Sequence, residues 1–168
     1  MRAFICIVPD QQAKRKIGGL QRQLLSYGKG RIVSAENLHI TLAFLGEVNE
    51  ADLPRIQHAM SFPFEQMVIT FSEIGVFHRK KDLWWLGIEE NEELNQAQRI
   101  LVQRLKEGGF DLAGTSFRGH VTLIRNARIE WPGQKEIAFE PFSMKAERMI
   151  LMKSELFEQK RIYTEIKL

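Results

Sequence analysis

Two tripeptides, His39-Ile40-Thr41 and His120-Val121-Thr122, put a histidine two residues ahead of a threonine twice in one chain. On a β-strand, side chains two apart share a face. His39 and Thr41 are therefore expected side by side, with Leu38, Ile40 and Leu42 behind them. His120 and Thr122 are expected to share a face with Arg118, with Val121 and Leu123 behind. Each strand then offers one imidazole and one hydroxyl backed by apolar residues. Imidazole titrates near 6.5 when unperturbed, so at working pH one ring can take a proton while the other gives one. Two such strands facing each other suit in-line displacement at phosphorus. A neutral histidine deprotonates the nucleophile, a protonated one supplies the departing oxygen, and the threonine hydroxyls donate to the non-bridging oxygens. The scheme needs neither metal nor cofactor.

One His-x-Thr alone is weak, because a histidine on a strand commonly serves structure. The chain has four histidines and five threonines, and chance placement of Thr two residues after two of the histidines is on the order of half a percent. The two motifs also sit in register with a repeat. Shifted by 81 residues, Ile5 falls on Leu86, Leu20 on Leu101, Leu24 on Leu105, His39 on His120 and Thr41 on Thr122. The repeated unit reads as strand, helix, polar-alternating strand. It predicts two lobes of similar build, related by a pseudo-twofold axis, that turn their His-x-Thr strands toward one groove.

The elements that must hold these residues follow from periodicity and punctuation. Strands are expected at 3–8, 38–45, 67–77, 84–88 and 117–124, with further tail strands around 136–139, 146–153 and 162–167. Helices are expected at 11–27, 50–60 and 92–106, with Gly28 and Gly30 stopping the first. No linker or charge block divides the sequence, so residues 1–168 are read as a single domain of two interleaved lobes. Across 168 residues, 44% hydrophobic and 27% charged, the composition excludes low-complexity, collagenous and disulfide-rich classes. Lys and Arg number 24 against 21 Asp and Glu, a net charge of +3 that permits an anionic partner without demanding one. Cys6 is the single cysteine, which leaves no intrachain disulfide and no cysteine-based zinc site. No signal peptide or membrane span is read, so a monomer in the cytoplasm is the default expectation.

At the two motifs the sequence resembles the 2H phosphoesterase superfamily, and within it the bacterial and archaeal RNA 2',3'-cyclic phosphodiesterases, also called 2'-5' RNA ligases. The resemblance runs over nearly the whole chain. It includes Arg2-Ala3-Phe4-Ile5, Asn37-Leu38-His39-Ile40-Thr41-Leu42-Ala43-Phe44-Leu45-Gly46, Gly75-Val76-Phe77 and Leu83-Trp84-Trp85-Leu86-Gly87. It continues with Phe117-Arg118-Gly119-His120-Val121-Thr122-Leu123-Ile124-Arg125, then Ser154-Glu155-Leu156 and Tyr163. The resemblance implies an α+β, bilobal fold, with two antiparallel sheets lining a central groove and helices outside. It implies hydrolysis of an RNA-terminal 2',3'-cyclic phosphate to a 2'-phosphomonoester. His39 would be the proton donor and His120 the proton acceptor, with Thr41, Thr122 and Arg125 binding the phosphate. With an RNA 5'-hydroxyl in place of water, the same site would make a 2'-5' linkage without ATP, and the chain has no Gly-x-x-x-x-Gly-Lys-Ser/Thr loop. The family commonly carries proline before the second histidine, where this chain has Gly119. Strict alternation turns Arg125 away from His120, so its role requires the strand to bend or end there.

Other residues have two readings each. Arg118 either adds charge beside the phosphate or is a solvated arginine where the strand begins. His78, Arg79, Lys80 and Lys81 form a basic turn that either meets an RNA backbone or is a solvated hairpin tip. Lys14-Arg15-Lys16 reads as a solvent face, His58 as surface, and Cys6 as buried and inert. Phe44 is expected to face the core, with Phe117, Trp84 and Trp85 as candidates for the same; being adjacent, the two tryptophans must point to opposite faces. An aromatic side chain left at the groove rim would stack on a base. Alternative functions are a related enzyme acting on a small nucleotide cyclic phosphate or a 2'-5' oligonucleotide, and a non-catalytic RNA-end-binding module. The paired acid and base count against the latter. A metallophosphoesterase recruiting Glu36 or Glu47 lacks a metal-spacing motif.

Overall fold

Apolar residues returning every three or four positions form the helices, and capping side chains fix where they start. A computed structural model describes residues 1–112, 116–130 and 139–168. Helix α1 (Gln11–Leu25) buries Ala13, Ile17, Leu20 and Leu24, and Asp10 accepts the Ala13 amide at 2.7 Å. In the short helix α2 (Leu53–Met60) Pro54 occupies the first turn, after a 3-10 turn at Glu50–Asp52. Helix α3 (Glu92–Glu107) buries Leu94, Ala97, Leu101 and Leu105. Acids at its start and Arg104 and Lys106 at its end complement the helix dipole.

The strands are β1 (Arg2–Ile7), β2 (Gly28–Ile32), β3 (Ile40–Glu47), β4 (Met67–Phe77), β5 (Asp82–Ile88), β6 (His120–Ile129), β7 (Phe142–Ala146), β8 (Ile150–Phe157) and β9 (Lys160–Ile166). They form an antiparallel sheet ordered β7-β4-β5-β6-β3-β1-β8-β9, with β2 added on β6. The fold is α+β. Its two four-stranded halves meet at one register pair, Ile40 with Val121, whose spacing is the 81-residue repeat. A twofold axis relating the halves demands that pairing. The helices are exchanged between them: α1 packs on β6 and β2, and α3 on β3.

Several expected boundaries move. Helix α1 stops at Leu25, and the glycine-rich segment after it is strand β2, too short and exposed to show alternation. The expected 117–124 strand begins at His120 and runs to Ile129. The expected 146–153 strand straddles the β7–β8 turn. Residues 136–138 of the expected 136–139 strand lie outside the described residues, and Phe139 is in no strand.

Just past each His-x-Thr the pleat is broken. On β3, Thr41 lies opposite Cys6 and Ala43 opposite Ile5, leaving Leu42 as an extra residue. On β6, Thr122 lies opposite Trp85 and Ile124 opposite Trp84, leaving Leu123 extra. Each is a β-bulge, which reverses the facing of the residues after it. Leu42 and Ala43 are buried consecutively, as are Leu123 and Ile124. Phe44 and Arg125, equivalent under the repeat, are thereby turned onto the histidine face. Phe44 is 67% exposed, contrary to the core position that alternation predicts. Helix glutamines hold both bulges. Buried Gln21 donates to Val33 O at 2.8 Å and Leu123 O at 2.9 Å, and Gln98 donates to Leu42 O at 3.2 Å.

Replacing Gln21 by Leu strands the half-buried Val33 carbonyl and weakens the Leu123 anchor. A loss of about 1–3 kcal/mol in a urea titration is expected. A change under about 0.5 kcal/mol would show that the bulge holds itself.

Candidate active site

His39 and His120 meet the groove through the same local device. Nδ1 of His39 lies 2.7 Å from Asn37 O, and Nδ1 of His120 lies 2.8 Å from Arg118 O. A carbonyl only accepts, so each Nδ1 carries the proton and each Nε2 is left to bind or release one. The two carbonyls are themselves related by the 81-residue shift. Asn37 is tied down in turn, its side-chain amide donating to Arg161 O of β9 at 2.8 Å. Antiparallel register about Ile40 and Val121 sets His39 toward Thr122 and Thr41 toward His120. Behind them Leu38, Ile40, Leu42, Val121 and Leu123 are buried.

Aromatic rings hold both imidazoles. The His39 ring lies 4.7 Å from Phe4 and edge-on to Tyr163 at 5.2 Å. His120 stands edge-on to Phe77 at 5.6 Å and 6.0 Å from Trp85. The repeat superposes Phe4 on Trp85. Both tryptophans are 6% exposed and face opposite ways, Trp84 into the main core and Trp85 onto the groove face. Trp85 lies flat across Gly75 of β4, where a Cβ would meet its Cζ2 at 2.0 Å. Gly119 allows a similar approach, since a Cβ there would meet Ile88 Cδ1 at 2.4 Å.

The His39 pKa is lowered from 6.5 to about 4: enclosure is the largest cause, the Asn37 carbonyl bond works the other way, and the nearby charges of Arg125 and His120 add to the lowering. His39 is thus neutral in the ligand-free site at pH 7. The influence of Arg125 places its charge near His39, where the bulge has turned it. Arg118 is on the catalytic face as alternation requires, but its guanidinium stacks over Trp85 at 4.8 Å and pairs with Glu73 at 2.6 Å. Its charge is largely answered within the protein. Cys6 lies opposite Thr41, buried, with its thiol pushed up to about 12. Among the described residues no three His, Cys, Asp or Glu side chains gather to hold a metal. No helix among them is long and apolar enough to cross a membrane. An open depression of about 650 Å³ near Asp10, Lys145 and Arg148 contains neither histidine.

Sequence reasoning missed the placement of three residues near the groove. Phe44 was hidden by the bulge, although the repeat aligns it with Arg125. Arg31, opposite Arg125 on β2, was hidden with its strand. Glu73, the partner of Arg118, gave no signal.

A curled antiparallel sheet whose central strands each turn a His-x-Thr face to one groove defines the 2H phosphoesterase class. The family model described as LigT like Phosphoesterase matches residues 7–85. An RNA 2',3'-cyclic phosphodiesterase of Archaeoglobus fulgidus is 33% identical over 131 residues, covering 76% of this chain and 74% of that protein. One from Thermotoga maritima is 30% identical, covering 97% and 91%. The crystal structure of Escherichia coli LigT complexed with 3'-AMP superposes with a TM-score of 0.80 at 25% identity, over 99% of this chain and 94% of that one. The chain belongs to the LigT-like phosphoesterase family.

In the free protein, the His39 ring is expected to titrate near pH 4 by NMR. A nucleotide phosphate in the groove should raise that value by about one to three units. Titration near 6.5 without ligand would contradict a desolvated ring.

Proposed function

We propose that the chain hydrolyses the 2',3'-cyclic phosphate at an RNA 3' end to a 2'-phosphomonoester. The observation that carries this reading is the pair of Nδ1–carbonyl bonds, which leave two Nε2 atoms for one groove on either side of the Ile40–Val121 pair. The names of the Archaeoglobus and Thermotoga relatives support the substrate.

In the proposed reaction His120 Nε2 takes a proton from water as its oxygen attacks phosphorus. The bond from phosphorus to O3' breaks, and His39 Nε2–H gives its proton to that oxygen. Thr41 and Thr122 donate to the non-bridging oxygens, and Arg125 balances their charge. Arg118 contributes less, being paired with Glu73. A neutral His39 cannot be the donor, so the substrate's negative charge must raise its pKa on binding and let Nε2 take up a proton from solvent. That ordering ties the active protonation state to an occupied groove. An RNA 5'-hydroxyl in place of water gives a 2'-5' linkage by the same proton transfers, without ATP. Phe44, exposed 6.2 Å from Phe4, offers its ring to the terminal base. Residues 1–168 act as one unit of two pseudo-symmetric lobes, as a monomer in the cytoplasm.

His39→Ala and His120→Ala should each lower kcat by about 10²–10⁴ while the protein still folds. The wild-type pH–rate profile should be bell-shaped, with its acidic limb at higher pH in kcat than in kcat/KM, because binding raises His39. Near-normal turnover by the double variant would overturn the mechanism. Phe44→Ala should weaken RNA binding by about 1–3 kcal/mol with kcat nearly unchanged; an unchanged KM would remove the base-stacking role.

A further inference from the structure

Beyond the Leu123 bulge of β6, between the β4–β5 turn and the β2–β6 pair, lies an open depression of about 400 Å³ whose lining includes neither histidine. Its lining includes five cationic side chains, Arg31, Arg79, Lys80, Lys81 and Arg125, and one carboxylate, Asp82. Asp82 faces His78 at 3.3 Å. Among the described residues none of the five cations has a carboxylate within ion-pair distance. Arg55, Arg99, Arg118 and Arg148 are paired with carboxylates elsewhere on the surface, and what sets the depression apart is five cations gathered around one concavity with a single carboxylate among them. Unanswered cations around a concavity raise the local concentration of polyanions.

The depression is joined to the site in two ways. Arg125 belongs to both, three residues beyond Thr122, or about 10 Å along a strand. Arg79 lies over the Phe77 ring at 5.8 Å, and Phe77 stands edge-on to His120. Arg31 lies directly opposite Arg125 in the β2–β6 register. Two guanidinium groups side by side with no acid between them repel unless an anion lies between them. Aromatic rings flank both imidazoles, but the strongly exposed one, Phe44, lies on the far side of the groove beside Phe4 and His39. One side suits a base, and the other suits successive backbone phosphates.

We propose that this depression is a second subsite, which binds the internucleotide phosphates on the 5' side of the reacting RNA end. The proposal rests on the hydrolysis proposed for the groove and adds a contact outside it for the chain that carries the reacting end. The terminal base lies toward Phe44 and the chain leaves over Arg31, Arg125 and the 79–81 turn. The contacts are to phosphate alone, so they carry affinity without base preference.

The test uses fluorescence anisotropy with two ligands that are not turned over. These are a labelled short single-stranded oligoribonucleotide ending in a 2'-phosphate, and a nucleoside 2'-phosphate as competitor. The variants are Arg79→Ala/Lys80→Ala/Lys81→Ala and, separately, Arg31→Ala, all at exposed positions. Each should bind the oligonucleotide at least about tenfold more weakly at low salt, with the mononucleotide held within about twofold. The slope of log K against log salt should fall by about 0.7 for each phosphate that the variant no longer neutralises. Unchanged oligonucleotide affinity, or equal weakening of both ligands, would overturn the subsite. Binding does not need turnover, so failure of the proposed reaction registers separately, as an oligonucleotide bound through these cations whose cyclic phosphate is never opened.

Discussion

A pleated strand turns successive side chains to opposite faces, and each histidine strand breaks that rule just past its His-x-Thr. Without the bulges at Leu42 and Leu123, Phe44 and Arg125 would point into the core, where a guanidinium could not remain unpaired. Adding one residue to the strand keeps the aliphatic side chains buried and turns the residue after them to the groove. Its cost is a carbonyl no longer satisfied by the regular ladder. Leu123 O is satisfied instead by the Val33 amide and the Gln21 side chain, and Leu42 O takes the Gln98 side chain. Each supporting helix belongs to the opposite repeat. Exchange of the helices thus couples the geometry of one histidine strand to the packing of the other half.

The same backbone device leaves the two imidazoles in unlike surroundings. His39 is enclosed by Phe4 and Tyr163, and desolvation favours its neutral form. His120 lies between Trp85 and Phe77. A symmetric scaffold carrying asymmetric neighbours is what an acid and a base of the same residue type require, because environment alone separates their roles.

Much of this was legible in the residues. The 81-residue repeat placed both histidines and threonines, and with them the pair at which the halves join. Alternation correctly put Arg118 on the catalytic face and Leu38, Ile40, Val121 and Leu123 behind it. It failed at Phe44, and left Arg125 dependent on a bend, because a bulge depends on how two strands pair and leaves no mark in either one's pattern. Strand β2 was missed for a related reason: Gly28 to Ile32 is short, exposed and nearly without apolar residues, and it pairs only because β6 offers an edge. Arg31 was missed with it. Glu73 and Gln21 act through partners 45 and 102 residues away in sequence, beyond the reach of any local signal.

The central claim is that two groove-facing imidazoles open a cyclic phosphate by cleaving its bond to O3'. The most direct measurement incubates the purified chain, in excess EDTA, with an RNA oligonucleotide ending in a 2',3'-cyclic phosphate and identifies the product by phosphorus NMR. A 2'-phosphomonoester with a free 3'-hydroxyl, formed at a rate unaffected by the chelator, is the predicted result. A 3'-phosphate, or an end left intact, would contradict it.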